Sequence, residues 1–263
     1  MPVDIGDNPI LVGFLGSLFA GLGTAVGAAG VFGLRQLSSR SEDLLLASAA
    51  GVMLAASFFS LIEPGLAAGE LRTGSTSQAA ALVIAGIALG AILMALVHHF
   101  APHEHFISGR EGPASARLNR IWLFVIAIAL HNFPEGMAVG VAFAGGDLTS
   151  GLPLAIGIGL HNIPEGLTVA VALRSVGYSM STAFWVSVLT GLVQPVGGLL
   201  GATAVWAAQP LLPVILGFAA GAMLYIISHE IIPETHRSGH ATRATFALLA
   251  GFAGMMFLDV ALD

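Results

Sequence analysis

Cysteine and lysine are both absent from this chain of 263 residues, and charge of either sign is scarce. Without cysteine, disulfides and thiolate metal ligands are excluded. Charged residues make up 9% of the sequence against 56% apolar, and the mean hydropathy is +0.89. A soluble helical bundle alternates polar and apolar faces and does not reach such values. The nine basic residues are all Arg, are scattered, and leave a formal charge of −6, which gives nucleic acid no phosphate track. The first nine residues carry Asp4 and Asp7 and no basic residue, unlike a secretory signal peptide.

What is abundant is apolar sequence in long runs. About 20 apolar residues cross a hydrocarbon core of roughly 30 Å. Runs of that length fall near 9–34, 44–66, 79–100, 121–143, 152–173, 182–206, 211–232 and 244–262. The fold expected is therefore all-α: a polytopic membrane protein with eight transmembrane helices in a single domain, 1–263. The longest polar break, 101–120, is too short to build a core of its own.

Arginine placement orients the spans. Arg35 and Arg40 lie in the first loop, Arg110, Arg117 and Arg120 in the third, Arg174 in the fifth, and Arg237 and Arg243 in the seventh. Arg72 in the second loop is the exception. By the positive-inside rule the odd loops are cytoplasmic and both termini external, in a plasma membrane or bacterial inner membrane. Trp122, Trp185 and Trp206 fall near span ends, as interfacial anchors do.

Within two of these runs a polar hexapeptide recurs. His131-Asn132-Phe133-Pro134-Glu135-Gly136 lies in the fourth span and His161-Asn162-Ile163-Pro164-Glu165-Gly166 in the fifth. At 1.5 Å per residue, His131 lies about 15 Å from Ile121, and His161 about 13–14 Å from Leu152. The two spans run antiparallel, so both motifs reach the bilayer midplane from opposite sides. His and Glu, four apart, share a helix face, with Asn about 100° to the side. Pro134 and Pro164 leave the carbonyls of Leu130 and Leu160 without their usual donors and bend the helix. The following Gly admits a neighbouring backbone.

A carboxylate at mid-bilayer costs about 2.5–3.5 kcal/mol on insertion scales, and no Lys or Arg lies within a span to offset Glu135 and Glu165. A divalent cation balances both, and imidazole with carboxylate suits zinc, iron, manganese and their relatives. A polar packing network between two helices, or a proton relay without metal, uses the same residues differently.

The paired HNxPEG motif on the fourth and fifth of eight spans resembles the ZIP family of divalent metal transporters, most closely its bacterial, GufA-like branch. That resemblance implies a binuclear metal centre midway along a pathway leading zinc, or iron, manganese or cadmium, toward the cytoplasm. His131, Glu135, His161 and Glu165 would form the main site, with Asn132, Asn162 and one or both glutamates contacting a second metal. It also implies a 3+2+3 inverted-repeat bundle that alternates access by an elevator-like shift. Ala49-Ala50-Gly51-Val52-Met53-Leu54 in the second span and Ala219-Ala220-Gly221-Ala222-Met223-Leu224 in the seventh echo one another as such a repeat requires.

Further candidates follow. Gln194, in a Gly-rich stretch before Pro195, repeats the polar-before-proline device. It is either an amide satisfying backbone at a kink or a second-site ligand where relatives commonly carry Glu. Some relatives carry Asp where Asn162 stands, so weaker or absent occupancy of the second site is expected. Met53 alone reads as packing; the resemblance makes it a candidate thioether ligand. His229, Glu230 and Glu234 form an expected exit relay. His98, His99, His103 and His105 are either a metal-collecting loop or ordinary solvated polarity. Glu63 is a candidate entrance carboxylate.

The expected partners are divalent ions, as substrate, and membrane lipids, with a homodimer as a candidate assembly; no nucleic acid and no organic cofactor are expected. The rivals are a metal-selective channel and an intramembrane metal hydrolase. The latter would use His229-Glu230, but Pro233 stands where an HExxH motif needs its second His. The chain is not expected to be an enzyme.

Overall fold

The computed structural model describes residues 8–34, 37–100, 103–105, 109–111, 120–145, 148–237 and 239–262. Among these, eight helices are long and apolar enough to cross a membrane. They are α1 (Pro9–Phe32), α2 (Ser39–Thr73), α3 (Thr76–Phe100), α4 (Ile121–Gly145), α5 (Gly151–Ser175), α6 (Met180–Ala207), α7 (Gln209–His236) and α8 (Ala241–Leu262). A short ribbon of β1 (His103–His105) and β2 (Gly109–Glu111) accompanies them. The rest of the His-containing loop 101–120, apart from Arg120 in the helix that leads into α4, lies outside the described residues.

Helix ends follow local chemistry. The side chains of Asn8, Ser38 and Ser179 accept hydrogen bonds from the amides of Leu11, Ser41 and Thr182, each at 3.1 Å, capping α1, α2 and α6. Gly74, at φ 66°, closes α2 in a left-handed turn that a side chain would strain. Two helices outrun the spans expected from sequence. α2 continues past Pro64, and α7 past Pro233, because each proline closely follows a π-helical turn, at Ser57–Ile62 and Ile227–Ile231. A π turn shifts the hydrogen-bond register, so the missing proline N–H breaks no established ladder. In α6 the helix is interrupted at 192–193, so Gln194 opens its second half.

Burial separates a centre from a rim. The apolar windows of α4 and α5 are 67% and 61% buried, those of α3 and α8 only 22% and 6%. Side chains such as Phe19, Ile84, Trp185, Trp206, Phe246, Phe257 and Val260 face outward, which suits a lipid solvent and not water. Trp122 is anchored by its indole N–H, which donates to the Tyr178 hydroxyl at 2.8 Å. The closest helix pairs are α1 with α5, α3 with α7, α4 with α6 and α2 with α8. The motif glycines make two of these contacts possible. A Cβ on Gly136 would fall 2.0 Å from the Gln194 carbonyl oxygen, and one on Gly166 2.2 Å from that of Thr24.

Candidate metal centre

Pro134 and Pro164 lie inside unbroken helices, and the turns around them carry the ligands. The Nε2 atom of His161 sits 3.1 Å from Oε1 of Glu135 and 3.2 Å from Oε2 of Glu165. One ligand atom from each residue lies within 4.8 Å of the others, all three residues being buried. The outer oxygens are held as well. Asn132 donates to Oε1 of Glu165 at 3.2 Å and to the Ile128 carbonyl at 3.1 Å. Gln194 donates to Oε2 of Glu135 at 2.9 Å. Each carboxylate thus has one oxygen fixed by an amide and the other turned to the imidazole.

The four residues expected in one site divide between two clusters. His131 is turned to α7, where its Nε2 lies 2.6 Å from Oε2 of Glu230. The other oxygen of Glu230 lies 2.7 Å from Nε2 of His98. The rings of His98 and His131 are nearly parallel, 9° apart, on either side of that carboxylate. His98, His131 and Glu230 therefore form a second buried three-ligand group.

A cavity of about 430 Å³ joins the two clusters. Glu135, His161 and Glu165 line its deep end. Leu37, Ser39, Glu42 and Asp43, at the start of α2, line its mouth with Ser175 and Glu234 at the ends of α5 and α7. These helix ends all belong to the odd-numbered loops. Among the described residues the lining contains no Arg and no Lys. His240 closes against this rim, its Nδ1 lying 2.8 Å from Oδ2 of Asp43.

The remaining candidates separate by helix face. Glu230 and Glu234 line the cavity, whereas His229 is exposed. His98 is buried and His99, one residue on, is exposed. Asn162 and Gln194 meet each other at 3.1 Å. Met53 is fully buried within the main apolar cluster and is not among the described residues that line the cavity, and Glu63 is exposed. The side chains of His103 and His105 lie outside what the structure describes. Sequence reasoning passed over Thr168, one turn from Glu165 on the cavity wall. It also missed Asp259 in α8, which accepts a 2.7 Å hydrogen bond from Ser60. A carboxylate inside an apolar span was the available signal for Asp259.

Residues 97–259 match the model of the ZIP zinc transporter family. The chain belongs to the ZIP family. It is 51% identical to zinc transporter ZIPB of Bordetella bronchiseptica, over 98% of this chain and 84% of that protein. It is 44% identical to zinc transporter GufA of Myxococcus xanthus, over 95% of this chain and 98% of that protein. It is also 35% identical to human zinc transporter ZIP11, over 98% of this chain and 99% of that one. The GufA-like ZIP assignment and its eight apolar helices make this a multi-pass membrane protein.

Proposed function

We propose that this ZIP protein carries zinc, or a closely related divalent cation, across the membrane toward the cytoplasm. The observation that carries the reading is the Glu135–His161–Glu165 cluster in a cavity whose described lining residues include no Arg or Lys. Two carboxylates and an imidazole match the ligand types that zinc prefers, with water free to complete four-coordination. Among the described lining residues no guanidinium or ammonium competes for the carboxylates. The names of ZIPB, GufA and ZIP11 as zinc transporters support the same substrate.

The route follows from the division of the histidines. The ion sheds water to Glu135, His161 and Glu165, then passes to the His98–His131–Glu230 group and leaves past Glu234 and Asp43. Met53 remains a proposed thioether ligand in a shifted arrangement, and Glu63 a proposed collector on the far side. Because the cavity mouth lies at the odd-loop ends, the positive-inside orientation makes this an inward-facing conformation. Both termini are then external, in a plasma membrane such as a bacterial inner membrane.

Several corresponding contacts support an inverted repeat relating α1–α3 to α6–α8 and α4 to α5. Gly51 abuts the Leu248 carbonyl, and Gly221, its counterpart in the echo, abuts that of Ile87. Gly90 abuts the Phe218 carbonyl and Gly251 that of Ser48. Gly27 abuts the Ile163 carbonyl and Gly197 that of Phe133. In this register the Ser60–Asp259 pair corresponds to Glu230–His98. An exchange of roles between the two halves gives access to the outside. A cavity whose described lining extends from the ligands to the odd-loop helix ends supports this carrier cycle over a continuous channel.

Proteoliposomes enclosing a zinc-sensitive dye test the reading. Saturable Zn²⁺ entry is expected, and Glu135→Ala and Glu165→Ala should each abolish it together with metal retained on purified protein. Entry that persists in both variants would overturn the assignment.

A further inference from the structure

The polar groups beside the metal cluster enclose a second small cage, and it is already filled. The side-chain nitrogen of Gln194 donates to Oδ1 of Asn132 at 2.6 Å, to Oε2 of Glu135 at 2.9 Å and to Oδ1 of Asn162 at 3.1 Å. An amide has two hydrogens, so three acceptors converge on a donor able to serve two at a time. All four residues are fully or almost fully buried, with exposures of 0 or 1%.

The amide orientations are determined by their surroundings. Asn132 spends its two N–H bonds on the Ile128 carbonyl and Glu165. Asn162 spends its own on the Ala20 carbonyl, at 2.8 Å, and on Oε1 of Gln194. Turning either asparagine round would set oxygen against oxygen, so both Oδ1 atoms must face the cage. Turning Gln194 round would bring a fourth oxygen to the other three. An electropositive group is required at that point, and the Gln194 amide supplies it.

We infer that the Gln194 amide is a built-in occupant of a cation cage adjoining the metal cluster, so that the mid-membrane centre holds one ion and not two. The inference rests on reading Glu135, His161 and Glu165 as metal ligands. Gln194 has no room to withdraw. Its backbone is pressed against Gly136, where a Cβ would fall 2.0 Å from the Gln194 carbonyl oxygen, and its side chain is sealed from solvent. The amide also holds Glu135 to one free oxygen, Oε1, for the transported ion. A carboxylate in place of the amide would put four oxygens around the same point. Such a hard, two-carboxylate and two-carbonyl set takes a divalent cation. Glu135 would then bridge two ions, one through each oxygen.

The test uses the full-length protein in detergent with His98→Ala, which removes a ligand of the inner group so that bound ions report the centre. Mn²⁺ is the probe, counted by equilibrium dialysis and observed by electron paramagnetic resonance. With Gln194 present, one Mn²⁺ per chain and an uncoupled six-line spectrum are expected. Gln194→Glu should raise the count to two and give the spectrum of a carboxylate-bridged, exchange-coupled pair. Gln194→Ala, which empties the cage, should admit the second ion more weakly, and serves if the Glu variant does not fold. Two coupled ions with Gln194 in place would overturn the inference, as would an unchanged count of one in the folded variants. No ion at all in any of these proteins would instead bring down the metal reading on which it rests.

Discussion

His131 and His161 occupy the same place in two copies of one motif, yet their side chains do different work. His161 lies between two glutamates of the central cluster, while His131 has turned to Glu230. Substitutions should separate the roles. Glu230→Gln is expected to leave Zn²⁺ affinity of the centre intact and to slow transport, seen as a lower maximal rate at unchanged half-saturation. If instead half-saturation rises and the rate does not change, Glu230 belongs to the loading site. Asn132→Ala removes the hydrogen bond that fixes the outer oxygen of Glu165. Loss of such an orienting partner should weaken metal binding roughly 10–100-fold, measurable by competition with a chelating dye. The residue types and their place inside two long apolar helices were legible in the sequence, because both are local properties. The partner of His131 was not, because it is nearly a hundred positions away on a helix whose rotation no local pattern specifies.

At the scale of elements, the packing is carried by small residues that let backbones touch. Gly136→Ala would push a methyl group into the Gln194 carbonyl and separate α4 from α6. A destabilisation of about 1–3 kcal/mol is expected, read as a lower melting temperature in detergent with loss of metal binding. Gly254 on α8 has nothing within 4 Å of the added Cβ. Gly254→Ala should therefore be neutral or slightly stabilising, since Ala is favoured over Gly in a helix by about 0.5–1 kcal/mol. Equal losses in the two variants would mean that helix contact does not set the stability. The sequence showed α2 and α7 as helices but not their length. The expected spans end near 66 and 232, and the π turns before Pro64 and Pro233 explain why the helices continue beyond them.

For the whole molecule, the decisive feature is a cavity whose described lining runs from Glu135, His161 and Glu165 to the odd-loop ends of α2, α5 and α7. The absence of cysteine makes this testable without background labelling. Ser175→Cys, at the mouth, should react with a membrane-impermeant thiol reagent added from the cytoplasmic side of inverted vesicles. Thr168→Cys, on the buried wall, should react more slowly and be protected by Zn²⁺. Labelling of Ser175→Cys from the external face alone would reverse the orientation.

Composition by itself determined the solvent, because a chain this apolar has no stable fold in water. Run length determined eight helices, and the doubled HNxPEG determined which polar groups stand inside the fourth and fifth of them. These are local properties, set by hydrophobicity and helix pitch. Tertiary structure alone decided that the four expected ligands separate into two clusters, that His98 is buried and His229 exposed, and that the Gln194 amide fills the space beside Glu135. Those outcomes depend on how kinked, antiparallel helices rotate against one another, which is fixed by contacts between residues far apart in the chain.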